Sequence, residues 1–418
     1  MNAITKACAV LTLALALASP GIADGRDQVE QWREDIQFYH SALQDGHINL
    51  YHSVSEQRFS AELERLMDRL PVLTEDEIVV EMMRITRLIN DGHTQFPIMS
   101  GPHRHYPLRF FMIDDSVYVR SASDTLERYL GARVVSIDGV PIAAVLARIE
   151  PIVQPAENKY GLMHSLAFHL TVDNMLFGAG VTQAYGSAEF VFETSDSTLS
   201  TEIVTSLPMS EYLAKTTNWI EQHTPFPEAD LVLNDDLWIT ADPQTRTAYF
   251  HFAAYPAFED MLRFGPLVGA YLAENNVRNI IIDLRENGGG DFYVGLALSS
   301  PILMTDSVDW RNGVYILTGR TTFSAAMSNA AQFRQILNAR LIGEPTGANP
   351  VSYSEVGQFS LPNSGRQVIY SKRLYRFQAE NTPGIQPDVF IQPTVDQFRT
   401  GEDPVLNWVM TDIRSRQD

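Results

Sequence analysis

Cysteine is nearly absent. Cys8 is the single one among 418 residues, and it stands at the start of the apolar stretch of an N-terminal leader rather than after it, the wrong place for lipid acylation. If cleavage follows Ala23, the mature chain has no cysteine. Disulfides, a thiolate metal site and a cysteine nucleophile are then excluded. Positive charge is also scarce: 31 Lys and Arg stand against 51 Asp and Glu, a net charge of −20. That balance argues against nucleic acid or an anionic membrane as the main partner. After the leader, no apolar run approaches the length of a membrane span. There is no internal repeat and no His-Glu-x-x-His element. His103 and His105 form a pair without a third ligand, so neither a metal nor a cofactor is expected.

The leader has a positive start at Lys6, an apolar stretch from Ala7 to Ala18, and a small-x-small site at Gly21-Ile22-Ala23. This reads as a secretory signal peptide over residues 1–23, which predicts a periplasmic or secreted protein. Beyond it, 45% hydrophobic and 20% charged residues describe a folded chain long enough for two or three domains. Residues 24–100 have helical spacing: Val29, Trp32, Ile36 and Tyr39, then Phe59, Leu63 and Leu66. A capping box at Thr74 and Glu77 precedes a third helix, with Gly92 expected to end it. Residues 101–235 form a strand-rich middle region, interrupted near 150–180 by a looped, helix-containing stretch. From 236 to 418, continuous apolar strands alternate with helical segments. Ile280-Ile-Ile-Asp-Leu, Val314-Tyr-Ile-Leu and Arg340-Leu-Ile read as parallel βα units. The predicted fold is thus α/β and α+β, multidomain.

Two loops leave the carboxyl ends of buried strands, where ligands sit in such sheets. The first, Asp283 to Asp291, holds three consecutive glycines. These suit either a mobile surface turn or close backbone approach to a ligand. The second, Thr321 to Met327, delivers Ser324 to the start of an Ala-rich helix. A serine there serves as an N-cap, or as a nucleophile beside free N–H groups and the positive end of the helix dipole. A nucleophilic serine needs a base. Of ten histidines, His93 in Asp91-Gly-His-Thr94 is well placed, in the turn after a capped helix. His251, between Phe250 and Phe252 on a strand, suits a structural role.

Four ordered motifs carry a family resemblance: Asp283-Leu-Arg-x-Asn-x-Gly-Gly290, Thr322-Phe-Ser-Ala-Ala, Leu341-Ile-Gly-Glu-Pro-Thr-Gly347 and Gly384-Ile-Gln-Pro-Asp-Val389. Together they resemble the catalytic domain of the C-terminal processing peptidases, which include the tricorn protease core and the interphotoreceptor retinoid-binding modules. The resemblance implies a crotonase/ClpP-like catalytic domain over residues 236–418 and a partly PDZ-like segment near 105–150. It implies Ser324 as nucleophile, with oxyanion donors at Gly289, Gly290 and Ala325. One branch of the family uses a lysine base about 25 residues after the serine. Here Asn349 stands in that place, and the only later lysine is Lys372. The sequence therefore resembles the tricorn-like branch, with His93 as base and Glu380 as the carboxylate orienting it. The implied activity is an exported serine endopeptidase acting on peptide or protein substrates. The alternatives are a non-catalytic protein binding a lipid-like or peptide ligand on the same fold, or an esterase or amidase.

Overall fold

The computed structural model describes residues 25–226 and 228–416. The leader lies outside the described residues. Three helices follow: α1 (Gly25–Gly46), α2 (Glu56–Arg69) and α3 (Glu75–Arg87). The capping box of α3 is complete, with Thr74 and Glu77 satisfying each other's backbone N–H groups. The helix stops at Arg87, short of the expected Gly92. The left-handed position after it falls to Asn90, at φ 58°. Asparagine tolerates that region through local hydrogen bonding of its short polar side chain, so Gly92 is released for another role.

The middle region is an antiparallel sheet whose main path runs β1 (Leu108–Ile113), β2 (Ser116–Ala122), β3 (Arg133–Ile137), β4 (Ser187–Glu193) and β5 (Leu199–Thr205), in that order. Between β3 and β4, helix α4 (Lys159–His169) occupies the looped stretch. The turn after β3 puts both Asp138 and Gly139 at positive φ, as a tight hairpin turn requires. One apolar core runs continuously from Trp32 in α1 to Val204 in β5. The helices and the middle sheet therefore share a single interior, and the expected boundary at residue 100 separates no two cores.

The remaining chain forms a seven-stranded sheet: β6 (Leu231–Asn234), β7 (Leu237–Asp242), β8 (Thr247–Phe252), β9 (Asn279–Asp283), β10 (Val314–Thr318), β11 (Arg340–Gly343) and β14 (Val389–Phe390). Its first two pairings are antiparallel and the rest parallel. Every residue of β9 and β10 is buried. The reason is coverage on both faces. Helices α5 (Phe258–Glu274), α6 (Phe292–Leu303) and α7 (Ser324–Ile336) pack on the side of Ile280, Ile282 and Ile316. Helix α8 (Pro404–Ser415) packs on the side of Ile281, Tyr315 and Leu317.

A long hairpin, β12 (Val351–Ser360) with β13 (Gln367–Arg376), leaves this sheet and returns to the first core. Its Leu361 and Val368 belong to that core. Its backbone pairs with Gln95 through Ile369, by hydrogen bonds of 2.9 and 3.1 Å.

Candidate active site

Strands β9 and β10 are parallel neighbours, with Asp283 beside Leu317. Their carboxyl-end loops must therefore meet. Asn287, fully buried, stitches them together. Its Nδ2 donates to Phe252 O at 2.9 Å, its Oδ1 accepts the Gly289 N–H at 2.9 Å, and its carbonyl accepts the Phe323 N–H at 3.2 Å. Ser324 follows as the first residue of α7, with φ at 48°. A serine in the left-handed region is strained, and the clamp on Phe323 holds it there. Gly289, at φ 112°, lies against it: a Cβ on that residue would come within 2.6 Å of the Ser324 Cβ.

Of the three expected oxyanion donors, Gly289, Gly290 and Ala325, the first is already occupied. The Gly289 N–H is engaged by Asn287, so its place is steric rather than donating. Among the described residues, no acceptor meets the N–H groups of Gly290 or Ala325. Ala325 sits in the first turn of α7, where orphan N–H groups and the dipole favour negative charge.

His93 comes to Ser324 from the other core. Its Nε2 lies 2.9 Å from Ser324 Oγ, across 231 positions of sequence. The imidazole is 5% exposed and stacks on Phe323, with ring centroids 4.9 Å apart. Asp91 fixes the loop. Its Oδ1 accepts the N–H of His93 at 2.7 Å and of Thr94 at 3.0 Å, together with Ser371 Oγ at 2.9 Å. Its Oδ2 accepts from Thr94 Oγ1 at 2.7 Å and His47 Nε2 at 2.9 Å. Burial alone would push the Asp91 carboxyl up. The hydrogen bonds from His47, Thr94 and the His93 backbone outweigh it and hold the group below its ordinary range.

His47, His52 and Asp91 present ligand atoms within 4.8 Å of one another, close enough for a metal. The hydrogen bonds argue against one. His47 Nδ1 accepts the Asn49 N–H at 2.9 Å, so the proton of the neutral ring sits on Nε2 and is donated to Asp91. The pair is a buried hydrogen-bonded brace for the His93 loop.

Behind His93 the carboxylate is Glu157. Its Oε1 lies 3.7 Å from His93 Nδ1, and both side chains are almost completely buried. Oε1 also accepts the Gly92 N–H at 3.1 Å, and Oε2 accepts the Asn349 N–H at 2.7 Å. Gly92 has its reason here: a Cβ would meet Glu157 Oε1 at 2.5 Å. Asn349, at the position a lysine base would hold, ties down the carboxylate instead. Glu380 does not reach the site. It is exposed, and its carbonyl caps Gln378 at 2.8 Å. Sequence reading missed Glu157 because it lies in an aperiodic loop outside the four motifs.

The other basic candidates lie apart. His251 stacks on Trp238 with centroids 5.0 Å apart. His105 Nδ1 meets Thr171 Oγ1 at 2.9 Å. Lys372 sits half-exposed on the hairpin, 4.0 Å from Glu355. The buried Arg320–Glu344 pair and the Asp283–Arg285–Asp403 triad brace the strand ends without touching Ser324 or His93.

Residues 268–391 match peptidase family S41, so this segment is that of a serine-type peptidase, a hydrolase. The structure of mature CPAF complexed with lactacystin aligns over 93% of this chain and 98% of its own, at 13% identity and a TM-score of 0.67. A second structure of mature CPAF covers 92% and 96%, at 11% identity and 0.64. At such identities the likeness shows the fold: a mixed α/β multidomain chain with several sheets. The tricorn protease aligns over 92% of this chain and 37% of its own, at 14% identity and 0.39, too loosely to bear on the site.

Proposed function

We propose that this chain is an exported serine endopeptidase that cleaves peptide bonds through an acyl-enzyme. The observation that carries the reading is the 2.9 Å approach of His93 Nε2 to Ser324 Oγ, bridging two separate cores. The hydroxyl attacks the substrate carbonyl as His93 takes its proton, and His93 then returns that proton to the leaving amine. Glu157 faces the imidazole from behind and stabilises the imidazolium that forms. The N–H groups of Gly290 and Ala325, with the dipole of α7, hold the oxyanion. Water enters the vacated leaving-group side and reverses the sequence. On this reading residues 236–418 are a crotonase/ClpP-like catalytic domain and residues 105–150 a PDZ-like segment. The segment 1–23 directs export to the periplasm or beyond.

A fluorophosphonate probe and a quenched peptide library test it. The mature protein should label at Ser324. His93→Ala should lose several orders of magnitude in kcat/KM, while Lys372→Ala keeps most activity. Labelling absent from the folded protein would leave a binding protein. Lys372→Ala inactive beside normal His93→Ala would replace the base.

A further inference from the structure

His103 and His105 take no part in the proposed reaction. Arg104 and His105 form a short strand paired with Leu207 and Pro208. The alternation of an extended chain turns Arg104 to one side, where its Nε donates to Ser206 Oγ at 3.0 Å, and the two imidazoles to the other. Their ring centroids lie 5.2 Å apart, with the ring planes at 79°. His105 is fully buried and His103 half-buried.

Neighbouring groups assign the proton of each ring. His103 Nδ1 lies 2.8 Å from the Gly101 carbonyl, which can only accept, so Nδ1 carries the hydrogen. His105 Nδ1 lies 2.9 Å from Thr171 Oγ1. That hydroxyl gives its single proton to the Phe168 carbonyl at 2.8 Å, so here too Nδ1 is the donor. A neutral imidazole has one N–H, which leaves each Nε2 with a bare lone pair. Both Nε2 atoms are buried, and among the described residues neither meets a hydrogen-bond donor. A buried polar atom without a partner costs free energy, and one shared cation would satisfy both.

The remaining geometry fits such a cation. A metal-bound histidine donates its other ring N–H to a fixed acceptor, which sets its tautomer and orientation. His103 and His105 both do so. An imidazole nitrogen lies about 1.1 Å from its ring centroid and binds zinc at ~2.0–2.1 Å, so two rings sharing one tetrahedral ion have centroids about 5 Å apart. The observed separation agrees.

We propose that His103 and His105 bind one zinc ion through their Nε2 atoms, with water completing the tetrahedron. Imidazole favours zinc over magnesium and calcium, which take oxygen ligands. The half-buried His103, beside the exposed Pro102, gives the ion a way in. Through Thr171, the bound ion would fasten the entry to β1 onto the turn after α4.

Protein stripped with EDTA should be titrated calorimetrically with Zn²⁺ and, separately, with Mg²⁺. One saturable equivalent of Zn²⁺ is expected, and none of Mg²⁺. His103→Gln should weaken Zn²⁺ about tenfold or more. His52→Gln, which alters the other histidine pair, should bind as wild type. Should His103→Gln not fold, His52→Gln protein loaded with Cu²⁺ should still show two imidazole nitrogens by electron paramagnetic resonance. Absent saturable Zn²⁺ binding, binding unchanged in His103→Gln, a loss that follows His52→Gln instead, or fewer than two nitrogens would overturn the proposal. None of these readouts depends on peptidase activity.

Discussion

Replacing Glu157 by glutamine separates the carboxylate seen in the structure from the one the family resemblance implied. The side chain keeps its shape and loses its charge. The charge acts on His93 once the imidazole has taken the serine's proton. In the transition state the imidazolium lies about 3.7 Å from the carboxylate. At an effective dielectric constant of about 20, two unit charges at that distance attract by ~4.5 kcal/mol. The amide dipole retains part of this, so a loss of about 3 kcal/mol is expected. That corresponds to a fall in kcat/KM of about 10²–10³ at ~1.4 kcal/mol per decade. KM should hardly change, since substrate binding does not sense the charge. The amide can accept from only one of the N–H groups of Gly92 and Asn349, so the variant should also be less stable by about 1–3 kcal/mol. Activity is therefore measured at a temperature where circular dichroism shows the variant folded. Glu380→Gln serves as the comparison and should behave as wild type. Wild-type kinetics in Glu157→Gln, or a matching loss in Glu380→Gln, would refute the assignment.

Gly289→Ala should abolish fluorophosphonate labelling while leaving the fold intact, because the new methyl meets the Ser324 Cβ at 2.6 Å from a backbone at φ 112°; retained labelling would show that the loop can yield. Stability should fall on mild acidification. Burial holds His105 and His169 down at about 4, His105 with the help of neighbouring histidines and His169 against the pull of the Ser165 carbonyl. A depressed histidine is neutral in the folded state and takes up a proton on unfolding. Its contribution is thus complete above about 6.5 and lost as pH falls toward 4. Each group should cost about 2 kcal/mol between pH 7 and 5, read as a lower urea midpoint; equal midpoints would contradict it.

Much of this architecture can be read from the residue pattern, and the exceptions share a cause. Ile280–Leu284 and Val314–Leu317 announce themselves because both faces of those strands are covered, leaving no polar alternation. Ser324 is visible because a helix start after such a strand is a local event. His93 stands out by its place after a capped helix. Glu157 offers nothing comparable: it is one acidic residue of 51 Asp and Glu, and its importance arises from Gly92 and Asn349, 65 and 192 positions away. The same holds for Asn349, whose lack of basicity is legible but whose grip on Glu157 is not. Asn90, not Gly92, takes the left-handed position, and Gly92 lies where a Cβ would strike Glu157.

The returning hairpin imposes an order in time. The loop holding His93 takes its final bonds from Ser371, whose N–H reaches Thr94 Oγ1 at 3.1 Å and whose hydroxyl reaches Asp91 at 2.9 Å. A growing chain has made both Ser324 and His93 well before it has made Ser371. Until that hairpin emerges, the loop lacks part of its brace and the first core lacks Leu361 and Val368. Translation from one end to the other thus leaves the nucleophile without a fully fixed partner over the 47 positions from Ser324 to Ser371, a safeguard written into the order of the chain.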